Sequence, residues 1–206
     1  NEAAVDFYGW SKEELKSMPI MQINTLTPEE IQAEMNKVKE KKKVYFNFRH
    51  RRADGSIRDV EVYSSAITIR GKVYLHSIVH DVTDKKQAEK DLLILVEAIR
   101  QAASGIVITD IDGNIIYGNP AFLNMTLYEF NEIIGKNPRD IVKSGVHDKA
   151  FYKALWDTIL SGRVWHGDII NRRKDGTLYT EEMTVSSVRD ESGKIINFIA
   201  VKQDVS

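Results

Sequence analysis

The alternation of apolar and polar residues lays out the elements of this chain before any motif is considered. Stretches rich in β-branched and aromatic residues run over Val44 to Arg52, Ile57 to Ile69 and Val73 to Val82. They return over Val164 to Lys174, Thr177 to Val188 and Ile195 to Val205, and each reads as a strand. Asp54-Gly55 and Asp175-Gly176 join the first two strands of each set, because Asp-Gly supplies the positive φ of a tight hairpin. Arg70-Gly71 and Asp190-Glu191-Ser192-Gly193 make the next turns. Between the two sets the period changes. Ala88, Leu92, Leu95, Ile99 and Ala102 recur at spacings of four and three, one narrow seam on a helix from Asp84 to Ala103. Thr83 is placed to cap that helix by accepting from first-turn amides, and Asp84 sits at the positive end of its dipole. Shorter helices are expected behind capping boxes at Ser11/Glu14, Thr27/Glu30 (with Pro28 at the first helical position) and Thr126/Glu129. A longer helix is expected from Asp148 to Leu160.

The pattern repeats. Asn1 to Leu15 runs parallel to Asn119 to Ile133, and Arg51-Arg52-Ala53-Asp54-Gly55 to Arg172-Arg173-Lys174-Asp175-Gly176. Val62 to Ile67 matches Met183 to Val188, and Asp81 matches Asp204. In front of the second copy stand Gly105 to Thr109 and Asn114 to Tyr117, flanking the turn Asp110-Ile111-Asp112-Gly113. The first copy has no counterpart to that hairpin. Its sheet is expected to be open on that side, as in a parent chain that extends upstream.

Composition narrows the chemistry. At 206 residues and 42% hydrophobic, the chain can bury a real core as one or two domains. The absence of cysteine removes disulfides, thiolate metal sites and cysteine nucleophiles. A net charge of -1 offers no global basic field for nucleic acid. The local cluster Lys41 to Lys43 reads as a complement to a helix C-terminus, and Arg49 to Arg52 as the solvated end of a hairpin. No apolar run reaches membrane-span length, and Asn1-Glu2-Ala3 does not open a signal peptide. Phosphate-binding loops, nucleophile elbows, zinc-protease helices, a phosphoacceptor-histidine helix and cyclase signatures are all missing, so no catalytic residue is assigned. His76 and His80 lie on one strand without further ligands, and no metal site is expected.

The segments Ile108-Thr109-Asp110, Asp112-Gly113-Asn114-Ile115, Tyr117, Asn119 and Ala121 are followed by Tyr128 to Ile133 and Gly135 to Arg139. Trp165-His166-Gly167, Asn171 to Gly176 and Asp204-Val205-Ser206 complete the series. In this order and spacing they resemble the PAS family. The resemblance implies an α+β fold of two PAS domains, each a five-stranded antiparallel sheet with short helices on one face. The first copy lacks its first two strands, and a helix joins the pair. The expected boundaries are 1–83, 84–103 and 104–206. The implied role is a cytoplasmic sensor and dimerisation module that passes a ligand or redox signal to an output domain, a histidine kinase in the first instance. The alternatives are a ligand-free module that sets dimer register and the sensor part of a cyclic-dinucleotide enzyme. A homodimer through the connecting and N-terminal helices is expected, with no nucleic acid or membrane contact in this segment.

The second copy is further similar to flavin-binding PAS domains, above all the redox sensors of nitrogen fixation and methane oxidation. That resemblance implies FAD or FMN, with Asn137 and Asn171 matched to the polar edge of the ring. It also implies Trp156 and Trp165 as aromatic neighbours, and Arg139 or Lys143 beside a charged tail. Pro138 stands where photosensory relatives carry a cysteine, which excludes a covalent adduct. Glu181 and Lys202 stand where those relatives carry an amide and a glutamine, and the two can form a charge pair instead. Where haem-binding relatives place their ligand this chain has Phe151, so His147 reads as a helix cap or a surface contact. With Val44 in place of Trp165 and His50 in place of Asn171, the first copy is the poorer flavin site.

Overall fold

Burial alternates residue by residue along the strands, and that alternation builds both sheets. In the computed structural model, which describes residues 1–39 and 45–206, the chain divides into two compact units, Asn1–Leu92 and Leu93–Ser206. The readings made of Lys41 to Lys43 and of Val44 lie outside the described residues.

The first unit opens with helices α1 (Glu2–Tyr8), α2 (Lys12–Ser17), α3 (Ile20–Ile23) and α4 (Pro28–Lys39). Strands β1 (Tyr45–Arg51), β2 (Ile57–Ile69) and β3 (Lys72–Asp81) follow. They form an antiparallel sheet in the order β1-β2-β3, so β3 is an edge strand among the described residues, as expected. Phe46, Val60 and Val62 of the sheet bury against Val38 of α4. Both capping boxes expected here are formed, Ser11 with Glu14 and Thr27 with Glu30. Arg52 is not a solvated hairpin end. Its Nε donates to the Phe7 carbonyl at 2.6 Å and ties the β1–β2 turn to α1.

Helix α5 (Thr83–Gln101) begins one residue earlier than expected and ends two before Ala103. Thr83 does not cap it. Its Oγ1 accepts from the Asp59 N–H at 2.9 Å and donates to Asp81 Oδ1 at 2.6 Å, which fastens the helix start to β2 and to the end of β3. The seam residues Leu92 and Leu95 are exposed, as are Leu93, Ile94 and Val96.

The second unit continues with β4 (Gly105–Thr109), β5 (Ile115–Gly118), α6 (Pro120–Thr126), α7 (Phe130–Ile133), α8 (Pro138–Ile141) and α9 (Lys149–Leu160). It closes with β6 (Trp165–Arg172), β7 (Leu178–Arg189) and β8 (Ile195–Asp204). The strands pair antiparallel in the order β5-β4-β8-β7-β6. The architecture is α+β, with the five-stranded sheet expected. Leu155 and Ile159 of α9 pack on Ile169, Met183, Val185 and Phe198, while Phe122 and Ile133 pack on Val107 and Ile115. The box expected at Thr126/Glu129 is displaced. Thr126 ends α6 with its hydroxyl donating to the Phe122 carbonyl at 2.8 Å, and Glu132 accepts from the Glu129 N–H at 2.9 Å. Thr126 has a buried carbonyl within reach of its hydroxyl, and that contact removes it from capping.

Candidate functional site

Between α8, α9 and the sheet of the second unit lies a cavity of about 140 Å³. The spacing of Tyr152, Leu155, Trp156 and Ile159 puts all four on one face of α9, and all four line it. The opposite wall comes from Val107, Ile169, Met183, Val185, Phe198 and Ala200. Trp156 meets Phe198 edge to face, ring centroids 5.4 Å apart. Gly113, at φ +83°, closes one end. A Cβ there would come within 2.8 Å of the Asn137 amide nitrogen and 3.5 Å of the Trp156 ring, so the turn admits only glycine without displacing the wall.

The cavity is lined mainly by apolar side chains, with a buried polar cluster on its sheet side. There Asn171 and Lys202, 3% and 4% exposed, converge on Glu181, which is fully buried. The Asn171 amide donates to Glu181 Oε1 at 2.9 Å, and the Lys202 ammonium reaches the same oxygen at 2.5 Å. Glu181 Oε2 has no protein partner, nor does the buried hydroxyl of Tyr152. Burial, with a smaller push from the Glu181 carboxylate, holds the Tyr152 phenol above its ordinary range. Tyr179, buried beside the same carboxylate, is pushed up for the same two reasons.

Of the residues singled out from the sequence, Asn137, Arg139, Lys143, Trp156, Asn171 and Lys202 line this cavity. Glu181 and Trp165 do not. Glu181 stands behind Asn171 and Lys202 as their common acceptor. Trp165 packs instead against the core cluster of α9 and the sheet, edge to face with Phe151 at 5.8 Å. The aromatic wall is therefore Trp156 with Phe198. The amide of Asn137 is already engaged: it caps α8 by accepting from the Arg139 N–H at 3.2 Å and donates to the Asp112 carbonyl at 3.3 Å. Arg139 is largely exposed and lies 3.5 Å from Asp140, whereas the Lys143 ammonium sits 4.6 Å above the Tyr152 ring. Sequence reasoning missed Tyr152, although its place one helical turn before Trp156 was a usable signal.

His147 is neither a helix cap nor a surface contact. Asp148 caps α9, while His147 Nε2 accepts from the Ile170 N–H at 2.8 Å and its ring stacks on Phe151 at 4.1 Å. Ser144 donates to the Ile170 carbonyl, and the Val142 carbonyl accepts from the Arg172 N–H at 2.7 Å. Residues 142–147 thus strap the outer edge of β6, a position where an unpaired strand edge would otherwise stand open.

Comparison with known proteins now settles the family. The PAS domain family matches residues 1–84 and again 103–206. The chain belongs to the PAS family. Among curated PAS relatives, a nitrogen fixation regulatory protein of Klebsiella oxytoca is 34% identical over 108 residues, 52% of this chain and 22% of that protein. Phototropin-2 of Oryza sativa subsp. japonica is 33% identical over 115 residues, 54% of this chain and 13% of that protein. A blue-light-activated histidine kinase of Brucella canis is 33% identical over 95 residues, 46% of this chain and 19% of that protein. The PAS chain thus covers at most 22% of the length of these relatives. An RNA-binding Light-Oxygen-Voltage receptor shares the fold over 87% of this chain and 84% of its own, with a TM-score of 0.51 and 17% identity. A Light-Oxygen-Voltage domain studied with a flavin analogue aligns over 55% of this chain and 85% of its own, with a TM-score of 0.50 and 27% identity. Among the described residues no helix is long and apolar enough to cross a membrane.

Proposed function

We propose that this segment is a cytoplasmic tandem PAS sensor whose second unit holds a flavin, FAD or FMN, and passes its state to an output domain. A histidine kinase is the favoured output, as in the Brucella relative. The observation that carries the reading is the cavity of the second unit, mainly apolar along its walls, with a buried polar cluster where Asn171 and Lys202 meet Glu181. An isoalloxazine ring has the same division, an apolar ring system with one hydrogen-bonding edge. The residues fit. Trp156 and Phe198 would face the ring, Asn171 and Lys202 its polar edge, and the buried Tyr152 hydroxyl still has a bond to make. Lys143 and the exposed Arg139 would meet a charged tail. When bound, the flavin supplies reversible reduction and visible absorption. What the protein contributes is the orientation of Asn171 and Lys202, which Glu181 holds through one shared oxygen. With no cysteine in the chain, a thiol adduct has no donor.

The signal would leave along β8 and, from the first unit, along β3 into α5. The exposed apolar residues of α5 favour a pair of parallel helices between two copies, with domains at 1–83 and 104–206 flanking the helix 84–103. The test is a visible spectrum of the purified chain, taken before and after mild reduction and after incubation with FAD or FMN. A flavin band that bleaches and returns in air supports the reading; a chain that is colourless and takes up neither nucleotide overturns it. One feature favours the ligand-free alternative: Asn171 and Lys202 already bond to Glu181 Oε1.

A further inference from the structure

The first unit carries a cavity of its own, and it is the larger of the two. About 280 Å³ is enclosed between α1, α3, α4 and the β1-β2-β3 sheet. Ile31, Met35, Val38, Phe46, Val62 and Leu75 supply apolar wall. Along β1 the rings of Phe46, Phe48 and His50 form a row of near-parallel planes, with neighbouring centroids 5.2 and 6.1 Å apart. Such a row presents ring surface along one side of the cavity.

Among the described lining residues, one buried polar atom stands without a partner. Ser64 and Ser77 bond each other at 2.8 Å, Asn24 accepts from the Leu26 N–H at 3.0 Å, and Glu34 is held by Lys37 at 2.7 Å. Tyr8 and His50 meet through the phenol oxygen and Nδ1 at 2.8 Å. That leaves His50 Nε2, buried and without a partner, on a residue only 3% exposed. Burial pushes His50 down to about 4 and Tyr8 up to about 12, so both are neutral at pH 7. A neutral imidazole carries one proton. A phenol O–H is the better donor of the pair and an imidazole nitrogen the better acceptor, so Tyr8 donates to Nδ1 and the proton resides on Nε2. The unpaired group is therefore a buried N–H donor, which costs free energy until an acceptor reaches it. Among the described lining residues there is no Lys or Arg to receive an anion.

We propose that this cavity is a second ligand site, taking a small uncharged aromatic compound whose ring nitrogen or carbonyl oxygen accepts from His50 Nε2. It does not depend on a flavin in the second unit. Two units with unlike cavities would give one chain two chemically distinct inputs.

Quinoline, naphthalene and indole test it on the intact chain. They are fused two-ring compounds that offer an acceptor, no hydrogen-bonding atom and a donor, respectively. Binding is followed by shifts of first-unit amide signals in nuclear magnetic resonance, together with the ¹⁵N shift of His50 Nε2. Quinoline is expected to bind at least tenfold tighter than naphthalene or indole and to move the Nε2 signal. In His50→Phe, quinoline is expected to fall to the level of naphthalene, while continued naphthalene binding reports an intact cavity. Should that variant not fold, the Nε2 shift in the unaltered chain decides alone. Equal affinity for quinoline and naphthalene, as a water on Nε2 would give, overturns the proposal. So does a preference for indole, an unmoved Nε2 signal, or no saturable binding of any of the three.

Discussion

The buried cluster of Glu181, Lys202 and Asn171 gives the sharpest stability prediction, because the chain contains its own control. The counterparts of Glu181 and Lys202 in the repeat are Val60 and Val79, which occupy the same places on the second and third strands of the first unit's sheet. Val60 is fully buried, as Glu181 is. The same backbone thus accepts either an ion pair or two valines at this place. Lys202→Val leaves the Glu181 carboxylate in a site with 0% side-chain exposure and only the Asn171 amide as donor. Breaking one half of such a pair costs about 3–5 kcal/mol, since a buried charge loses its compensation. Glu181→Val strands the ammonium and costs about the same. The double variant Glu181→Val/Lys202→Val removes both desolvation costs and is expected to lie within about 1 kcal/mol of the parent chain, or above it.

Urea unfolding followed by tryptophan fluorescence reads this directly, because Trp156 and Trp165 both belong to the second unit while Trp10 reports on the first. With a slope of about 1–3 kcal/mol per molar urea, each single variant should lower the second-unit midpoint by at least about 1 M. The first-unit transition should not move. Either single variant costing less than about 1 kcal/mol, or a double variant no more stable than the worse single one, would refute the reasoning. The coupling energy, not any single loss, carries the test.

Three further expectations follow from individual contacts. His50, held down to about 4 from 6.5 by burial, binds a proton more readily unfolded than folded. First-unit stability should therefore be full above pH 6.5, decline as pH falls toward about 4, and total on the order of 3 kcal/mol of loss; a pH series of unfolding midpoints checks this, and His50→Phe should flatten the slope. His147→Ala takes the acceptor from the Ile170 N–H and should cost about 1–3 kcal/mol, with faster hydrogen exchange confined to β6 and its strap; unchanged exchange at Ile170 would count against the strap. Leu92→Glu with Leu95→Glu places charge on the exposed seam of α5 and should shift the chain toward monomer in sedimentation; an unchanged profile would remove α5 from the dimer proposal.

Much of the fold was legible because the cues were local and occurred twice. Asn1 and Asn119 each cap a helix by accepting from the amide three residues on, and Asp54 and Asp175 each accept from the residue after the hairpin glycine. Such bonds span few residues or sit at fixed places in a repeat, so spacing reveals them. At Gly9 and Leu127 the repeat keeps a left-handed turn and changes its residue, with φ of 80° and 63°. A leucine there gives no sequence sign of the turn, and the capping box was accordingly placed at Thr126, three positions before its actual start at Glu129.

What escaped the sequence were contacts set by tertiary approach. Nothing in the spacing of His147 and Ile170 indicates that one accepts from the other, because that depends on how residues 142–147 lie along β6. The Glu181–Lys202 pair was legible as a possibility, since each replaced a neutral amide in a known pattern. That Glu181 recedes behind the cavity while Asn171 and Lys202 line it follows from the third dimension. The same logic separates the two units. The resemblance placed position 171, and position 50 as its counterpart, at the polar edge of a pocket, and both are buried, at 3% exposure each. Their chemistry then diverges through their partners: Asn171 answers to a carboxylate and a lysine, His50 to a tyrosine. A repeat conserves the direction in which a side chain points, and substitution at its ends decides what that side chain can hold.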